Sequence, residues 1–384
     1  MTDFVTMAKP VGSLCNMNCS YCYYLKADNL NDPSVYRMND NVLDTYIRTY
    51  LQNSSQDTVS FTWHGGEPTL AGLDFFQKVV QLQKKYLPAG KKCWNSLQTN
   101  GVLINEDWCR FLKENNFDVG VSLDGTRYIH DLHRNDKAGS ETYEHALNAV
   151  KLLKQHGIEP DLLCTVTEET AQNARAVYTA LRRLDTGWIQ FIPIVVRRAD
   201  GTVTEESVTP GSYGKFLKEI FREWITKDLG RVNVQIFAET ALVLSGRPSN
   251  VCWFAETCGN VCVVEKDGSV YSCDHFVDQK HRIGNLMETD LNVLMDSDVQ
   301  KQFGNAKRDS LCTECRECEW LKICRGCCPK DRFLETETNE KKYYLCEGLR
   351  MYFSYAVPLL KEAMKMSSSG IRQSDIMKAL RKKC

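Results

Sequence analysis

The sequence predicts an α/β fold, an open partial (β/α)6 barrel followed by a smaller cysteine-rich domain and a C-terminal helix. Up to about residue 230, short apolar runs alternate with segments of helical periodicity, which is typical of repeated β-α units on a parallel sheet. Beyond about residue 236 the alternation stops and cysteines become frequent. We therefore predict domains at residues 1–235, 236–350 and 351–384.

Six predicted strands and the helices between them follow in chain order. The strands cover residues 6–9, 59–63, 93–98, 118–123, 161–166 and 189–193. The helices cover residues 73–84, 107–115, 143–155, 171–184, 213–226 and 351–365. Six units are too few to close an eight-stranded TIM-type barrel, so the barrel is expected to be incomplete. Ligands of such sheets collect at the carboxyl ends of the strands, where we expect the functional residues.

Charge and cysteine content restrict the class of protein. The 384 residues include 48 Lys+Arg and 49 Asp+Glu, a balance that argues against nucleic acid or an anionic membrane surface as the main partner. The N-terminus lacks the features of a signal peptide, and no window approaches the ~18 apolar residues of a spanning helix, so we expect a cytoplasmic protein. In that reducing compartment, clustered cysteines such as these are more often metal ligands or redox thiols than disulfides.

A cysteine trio in C-x3-C-x2-C spacing, Cys15, Cys19 and Cys22, follows the first predicted strand. Three thiolates from one loop can hold three irons of a 4Fe-4S cluster, and with no fourth cysteine nearby one iron is left open for a substrate or cofactor. The alternative is a structural zinc site completed by a distant ligand. Zinc modules usually offer pairs of cysteines rather than a trio.

The trio, with Tyr21 before its last cysteine, resembles the radical S-adenosylmethionine (SAM) superfamily. Residues 64–68, His-Gly-Gly-Glu-Pro, follow the second strand and resemble that superfamily's GGE motif. The resemblance implies that Ser122 and Arg134 contact SAM, with Arg134 as a fixed cation for the SAM carboxylate. Without this context, we would interpret Arg134 as a solvated surface charge. The full set of SAM-binding residues that it implies is Tyr21, Gly65, Gly66, Glu67, Ser122, Arg134 and the backbone near Val195.

A second group of cysteines lies between residues 252 and 346. By itself the stretch 315–328 fits a zinc module as well as an iron–sulfur site. Together with the trio, the order C…G-x4-C…C-x2-C-x5-C-x3-C…C resembles the SPASM domain, which carries two auxiliary 4Fe-4S clusters. The resemblance assigns to one cluster Cys252, Cys258, Cys273 and Cys328, and to the other Cys315, Cys318, Cys324 and Cys346.

Seven cysteines fall outside these assignments, and Cys384 ends the chain. Cys262, Cys312 and Cys327 lie among the auxiliary ligands, so ligand exchange stays open there, above all between Cys327 and Cys328. We expect Cys93, Cys109 and Cys164 to be small core residues.

Over nearly the whole chain the sequence is similar to the anaerobic sulfatase-maturating enzymes. The similar stretches are residues 9–24, 61–68, 98–101, 190–193 and 258–274. The resemblance implies three 4Fe-4S clusters and SAM as cofactors, and oxidation of a Cys or Ser in a sulfatase polypeptide to Cα-formylglycine without oxygen. It also implies an unfolded or nascent substrate and a flavodoxin- or ferredoxin-type electron donor.

Asp274 directly follows a predicted cluster cysteine and matches the general base of that family. A carboxylate within hydrogen-bond reach of the substrate proton can act in this way. The alternative is that Asp274 only orients neighbouring side chains by hydrogen bonds, or that it is an ordinary turn residue.

Two other functions remain open at this point. One is a radical SAM enzyme that makes a thioether link, a carbon–carbon link or an epimer in a different peptide. The other is a non-catalytic zinc or iron–sulfur protein. No precursor-recognition domain is evident before the first strand, which favours the sulfatase substrate. The sequence does not distinguish a Cys from a Ser target and does not identify the residues that bind the peptide.

Overall fold

A computed structural model describes residues 4–25 and 35–384. The strands, in chain order, are β1 Val5–Lys9, β2 Thr58–Trp63, β3 Lys92–Thr99, β4 Phe117–Ser122, β5 Asp161–Val166, β6 Trp188–Pro193, β7 Asn233–Val234, β8 Val261–Glu265, β9 Ser269–Tyr271, β10 Arg282–Asn285, β11 Arg332–Glu335 and β12 Lys341–Tyr343. The helices are α1 Asp40–Asn53, α2 Leu73–Tyr86, α3 Glu106–Glu114, α4 Arg127–His133, α5 Tyr143–Gln155, α6 Glu168–Gln172, α7 Ala174–Arg182, α8 Pro210–Lys227, α9 Gln235–Leu244, α10 Leu291–Met295, α11 Asp298–Asp309, α12 Thr313–Arg316, α13 Leu321–Cys324, α14 Cys346–Ser368 and α15 Gln373–Leu380.

The six predicted strands are present as β1 to β6, each with its ends within one residue of the prediction. The single helix predicted over residues 171–184 is wrong, because the chain forms α6 and α7 instead. Asn173 separates them: its side-chain amide donates to the Glu169 carbonyl at 2.8 Å and ends α6. Helix α1, which the sequence did not predict, is capped by Asn39, whose side chain accepts hydrogen bonds from the first-turn amides.

The chain divides into two compact units. The first consists of Met1–Ser122, Asp131–Pro160 and Cys258–Ala306. Its strands lie in the order β10-β9-β8-β1-β2-β3-β4. Strands β8, β1, β2, β3 and β4 are parallel to one another, whereas β9 pairs antiparallel with β8 and β10 antiparallel with β9 at the edge. A strand from the cysteine-rich region therefore pairs with the first strand of the barrel.

An aromatic cluster fills the core of the first unit behind β2. Tyr46 and Tyr50 of α1 pack against Phe61 and Trp63 of β2, and all four are at most 1 % exposed. The Trp63 indole donates to the Asn95 side chain at 2.9 Å, so its buried N–H has a partner. This packing fixes the carboxyl end of β2, from which the glycine-rich turn follows.

The second unit consists of Leu123–His130, Asp161–Thr257 and Lys307–Cys384. It contains the parallel strands β5, β6 and β7 in that order and the hairpin β11–β12. Helix α14, which includes the predicted helix 351–365, packs along α8. The domain limits predicted at residues 235 and 350 stay a prediction. No helix among the described residues is long and apolar enough to cross a membrane.

Candidate active site

The cysteine trio lies on the loop that follows β1. The Met17 amide donates to the Cys15 sulfur at 3.3 Å, and the Asn100 side chain lies 3.8 Å from the same sulfur. Burial, together with the charges of Glu67, Cys19 and Cys22, raises the pKa of Cys15 to about 12, although the Met17 amide lowers it. The three thiols are close enough to repel one another as thiolates. Because the positive irons of a cluster would relieve that repulsion, the donor set fits a 4Fe-4S cluster.

The glycine-rich turn after β2 packs directly on the cysteine loop. The Gly66 amide donates to the Gly12 carbonyl and the Glu67 amide to the Leu14 carbonyl, each at 2.9 Å. A Cβ atom on Gly66 would lie 2.1 Å from the Leu14 carbonyl oxygen, and Gly65 has a φ of 125°. Both positions therefore require glycine, which lets the two loops meet without a side chain between them.

Glu67 is fully buried, and the protein itself supplies its hydrogen bonds. One carboxylate oxygen accepts from the Thr69 amide (3.1 Å) and hydroxyl (2.6 Å) and from the Thr99 hydroxyl (2.8 Å). The other accepts from the Asn100 amide at 2.7 Å. Burial raises the pKa of Glu67 although these donors lower it. The side chain thus joins the loops that follow β2 and β3, and its contact with SAM stays a prediction.

The remaining predicted SAM-binding residues lie in two places. Ser122 ends β4 in the first unit and accepts a hydrogen bond from Gln98 at 3.2 Å. Arg134 is only 7 % exposed, so it is not a solvated surface charge, and its guanidinium lies 5.5 Å from the centre of the Tyr21 ring. Val195 is buried after β6 in the second unit.

Asp274 lies in a compact group of charged side chains in the first unit. The Lys9 ammonium forms an ion pair with Oδ1, and the Tyr23 hydroxyl donates to Oδ2. Burial raises the pKa of Asp274, but the charge of the Lys9 ammonium outweighs this effect and holds the pKa well below its usual range. Asp274 is therefore ionised at neutral pH.

Lys9 is fully buried and contacts three side chains of this group. Besides Asp274, its ammonium lies 3.4 Å from His64 Nδ1 and 4.3 Å from the centre of the Tyr24 ring. Burial and, next, the charge of Lys9 lower the pKa of His64 to about 4, so this imidazole is neutral at pH 7. Its Nδ1 accepts from the Gly65 amide at 2.7 Å, which places the ring proton on Nε2.

Glu265, at the end of β8, completes the group. It accepts a hydrogen bond from the Tyr24 hydroxyl, and burial raises its pKa to about 7. Sequence reasoning gave no role to Lys9, Tyr23 or Glu265. Lys9 and Tyr23 stand inside a motif that carries the family resemblance, which was an available signal. The sequence contained no such signal for Glu265, because the position of this residue depends on the pairing of β8 with β1.

Four cysteines of the second unit, those assigned to one auxiliary cluster, line one cavity. They are Cys315, Cys318, Cys324 and Cys346. Among residues 4–25 and 35–384, no three His, Cys, Asp or Glu side chains lie close enough to share a single metal ion. The four thiols instead line a space bordered by Trp320 and Phe353, an arrangement that fits a cluster held by four thiolates.

The other assigned auxiliary ligands are divided between the units. Cys252 and Cys328 belong to the second unit, and Cys258 and Cys273 to the first, so this ligand set stays a prediction. The Cys327 sulfur lies 3.7 Å from the Cys324 sulfur, which keeps ligand exchange at Cys327 open.

Among the remaining cysteines, Cys312 forms a side-chain hydrogen bond with the assigned ligand Cys315, so ligand exchange stays open there as well. Cys262 and Cys312 are buried. Cys109 and Cys164 are buried core residues as predicted, while Cys93 is half-buried.

Comparisons with known proteins show the class to which this protein belongs. Residues 10–179 match the family profile of the radical SAM superfamily, and residues 252–319 match the SPASM iron–sulfur cluster-binding domain. The chain is 38 % identical to a serine-type anaerobic sulfatase-maturating enzyme of Bacteroides thetaiotaomicron, over 98 % of this chain and 94 % of that one. It is 37 % identical to a cysteine-type enzyme of Clostridium perfringens, over 94 % and 98 %. The chain belongs to the family of anaerobic sulfatase-maturating enzymes.

Solved structures agree with this assignment. The structure described as native anSMEcpe with bound AdoMet and Cp18Cys peptide is 36 % identical, with a TM-score of 0.85 over 93 % of this chain and 98 % of that one. Streptococcus suis SuiB bound to its precursor peptide SuiA shares the fold alone, at 15 % identity and a TM-score of 0.63 over 90 % of this chain and 76 % of that one.

Membership confirms several predictions at once. The predicted fold, a partial barrel with a SPASM domain and a C-terminal helix, is confirmed. The chain is a radical SAM enzyme. Its cofactors are SAM and 4Fe-4S clusters, of which this family has three. The alternative of a non-catalytic zinc or iron–sulfur protein is wrong. The relatives and peptide-bound structures also support a peptide as the substrate. The individual site residues stay predictions.

Proposed function

We propose that this enzyme oxidises a Cys or Ser side chain of a sulfatase polypeptide to Cα-formylglycine without oxygen. The observation that carries the proposal is the ionised Asp274, held next to Cys273 by Lys9 and Tyr23. Similarity over nearly the whole chain to both serine-type and cysteine-type enzymes supports the same reaction. We further propose a cytoplasmic location, an unfolded or nascent substrate and a flavodoxin- or ferredoxin-type electron donor.

The first unit holds the groups that generate the oxidant. Cys15, Cys19 and Cys22 would ligate the first cluster, and Tyr21, Gly65, Gly66, Glu67, Ser122 and Arg134 would form the part of the SAM site that lies in the first unit. When bound, the cluster and SAM would supply a 5′-deoxyadenosyl radical as the acceptor of a hydrogen atom from the substrate Cβ, and an auxiliary cluster would accept the remaining electron. The two glycines leave the backbone open to a ligand, and the buried Arg134 supplies a fixed positive charge.

Asp274 accepts the proton of the substrate thiol or hydroxyl. Lys9 and Tyr23 each occupy one of its oxygens, and because each carboxylate oxygen has two acceptor sites, one site on each is left for the substrate. His64 is neutral and so does not add a second positive charge next to Asp274. Proton transfer to a carboxylate placed in this way contributes roughly 10²–10⁴-fold to a rate.

The reaction is tested by anaerobic reconstitution of the full chain with iron and sulfide. The protein is incubated with SAM, a reductant and paired sulfatase-motif peptides that contain either Cys or Ser. We expect 5′-deoxyadenosine together with an aldehyde on at least one peptide, measured by mass spectrometry. If 5′-deoxyadenosine forms and neither peptide gains an aldehyde, the sulfatase role is refuted in favour of modification of another peptide.

Asp274→Asn tests the proton acceptor. The amide cannot accept the substrate proton, so we expect aldehyde formation to fall by roughly 100-fold or more while 5′-deoxyadenosine still forms. The matched control is Asp278→Asn, four residues along, whose half-exposed carboxylate pairs with His281 at 2.7 Å. The control should keep the parent rate. An Asp274→Asn enzyme that makes aldehyde at the parent rate would exclude Asp274 as the base.

A further inference from the structure

Arg332, the first residue of β11, uses all five of its N–H donors on neighbouring oxygens. Nε donates to the Gly326 carbonyl at 2.8 Å, and Nη2 donates to the carbonyls of Arg325 and Cys327, each at 3.2 Å. Nη1 donates to the Lys307 carbonyl at 2.6 Å and to the Ser310 hydroxyl at 3.2 Å. One guanidinium therefore binds three consecutive carbonyls of one loop.

The loop that Arg332 binds has an uncommon backbone. Arg325, Gly326 and Cys327 have φ values of 51°, 68° and 50°, so three consecutive residues are left-handed. Residues other than glycine adopt this conformation at a cost, and normally as single residues rather than in runs. A Cβ atom on Gly326 would lie 2.4 Å from the Leu311 side chain and 2.7 Å from the Arg332 guanidinium. The loop therefore fits Arg332 only because its middle residue is glycine.

The strained loop connects two predicted cluster ligands. Cys324 precedes it and lines the cavity of the second unit, and Cys328 follows it directly. The Cys327 thiol forms a sulfur–sulfur hydrogen bond of 3.7 Å with Cys324, while the Gly326 and Cys327 carbonyls accept from Arg332. Hydrogen bonds to ligand sulfurs and nearby charge are two of the factors that set the reduction potential of an iron–sulfur cluster.

We propose that Arg332 is a positioning residue for the auxiliary cluster of Cys315, Cys318, Cys324 and Cys346. By binding the three carbonyls it holds the left-handed loop in place, keeps the Cys327 thiol on the Cys324 sulfur and adds a positive charge near that ligand. The inference rests on the assigned cluster ligands and is independent of the peptide substrate, so its failure is distinguishable from failure of the proposed function.

The test compares Arg332→Met with Arg308→Met in the full, anaerobically reconstituted chain. Arg308 is half-exposed at the end of α11 and pairs with Asp309, so it is a matched control. Iron and sulfide content, the electron paramagnetic resonance (EPR) spectrum of the reduced auxiliary clusters and their midpoint potentials are measured. We expect Arg332→Met to have a changed auxiliary spectrum and a more negative potential, because a positive charge and a sulfur hydrogen bond are lost. Arg308→Met should match the parent.

Arg332→Lys separates the geometry from the charge and replaces the Met variant if that protein does not fold. A lysine keeps the cation but cannot bind three carbonyls with a planar fork. We expect its auxiliary EPR spectrum to differ from that of the parent, with a smaller shift of potential than in Arg332→Met. Parental spectra and potentials in whichever Arg332 variant folds would overturn the proposal.

Discussion

Glu265 is a buried carboxyl group that carries a proton more readily in the folded chain than in the unfolded one. Burial raises its pKa to about 7 from the ordinary 4.5, with Tyr24 and Lys9 as its neighbours. A raised pKa means that the native state binds the extra proton, so the stability that it provides is complete below about pH 4.5 and is lost as the pH rises through 7.

Glu265→Gln is expected to remove this pH dependence. The amide has the shape of the protonated carboxyl and does not ionise. Between pH 5 and 8 the parent should lose up to about 3 kcal/mol of unfolding free energy relative to the variant, since a pKa difference of one unit corresponds to ~1.4 kcal/mol. Anaerobic urea denaturation across this range measures the effect. Equal pH slopes for the two proteins would contradict it.

The residues around Asp274 show what the sequence could and could not predict. Asp274 was predictable because it follows a cysteine within a recognisable motif. The meeting of Lys9 with Glu265 in the same group was not, because these two residues become neighbours only through the parallel register of β1 with β8, in which they are direct partners. Register between distant strands is a property of tertiary packing, which hydrophobic periodicity does not report.

At the scale of elements, the crossing of α8 and α14 depends on two glycines. A Cβ atom on Gly348 would lie 2.3 Å from the Pro210 carbonyl oxygen, and one on Gly214 would lie 2.9 Å from the Gly348 Cα. The two helix backbones therefore touch without side chains between them. Because α14 begins at Cys346, this contact also places a predicted cluster ligand.

Gly348→Ala should force these helices apart. Overpacking at a tight contact costs about 1–3 kcal/mol, and a loss of unfolding free energy of that size is expected in urea denaturation. Gly211→Ala, in the first turn of α8, is the control, because a Cβ atom there would meet nothing within 4 Å. The control should be neutral or slightly stabilising, since alanine favours helix more than glycine. Equal unfolding free energies of Gly348→Ala and the parent would contradict this prediction and show that the two helices can accept a Cβ atom at their contact.

The reliability of prediction differs between elements for a physical reason. Strands β1 to β6 lie in units of alternating strand and helix, and their apolar runs locate them to within a residue. Strands β8 to β12 have only three to five residues each, and β8 forms against β1, far away in sequence. Too few residues remain in such strands for a periodic pattern to appear.

At the scale of the whole molecule, the cysteines divide into ligands and ordinary residues. Cys346→Ala should remove one of the four thiols around the second-unit cavity, so we expect lower iron and sulfide content and a loss of one auxiliary EPR signal. Cys384→Ala, which changes an exposed terminal cysteine, is the control and should keep the parental content. A Cys346→Ala protein with parental iron and spectra would remove Cys346 from the ligand set and point to one of the spare cysteines.

The pairing of β1 on both sides, with β2 and with β8, has a consequence for synthesis of the protein. A nascent chain makes β1 and β2 early, yet the second partner of β1 is complete only after Glu265 has been translated. Until then one edge of β1 presents unpaired N–H and C=O groups, which invite pairing with other chains. The first unit must therefore complete its sheet late in translation or after release from the ribosome, and a chain truncated near residue 250 would be prone to aggregate.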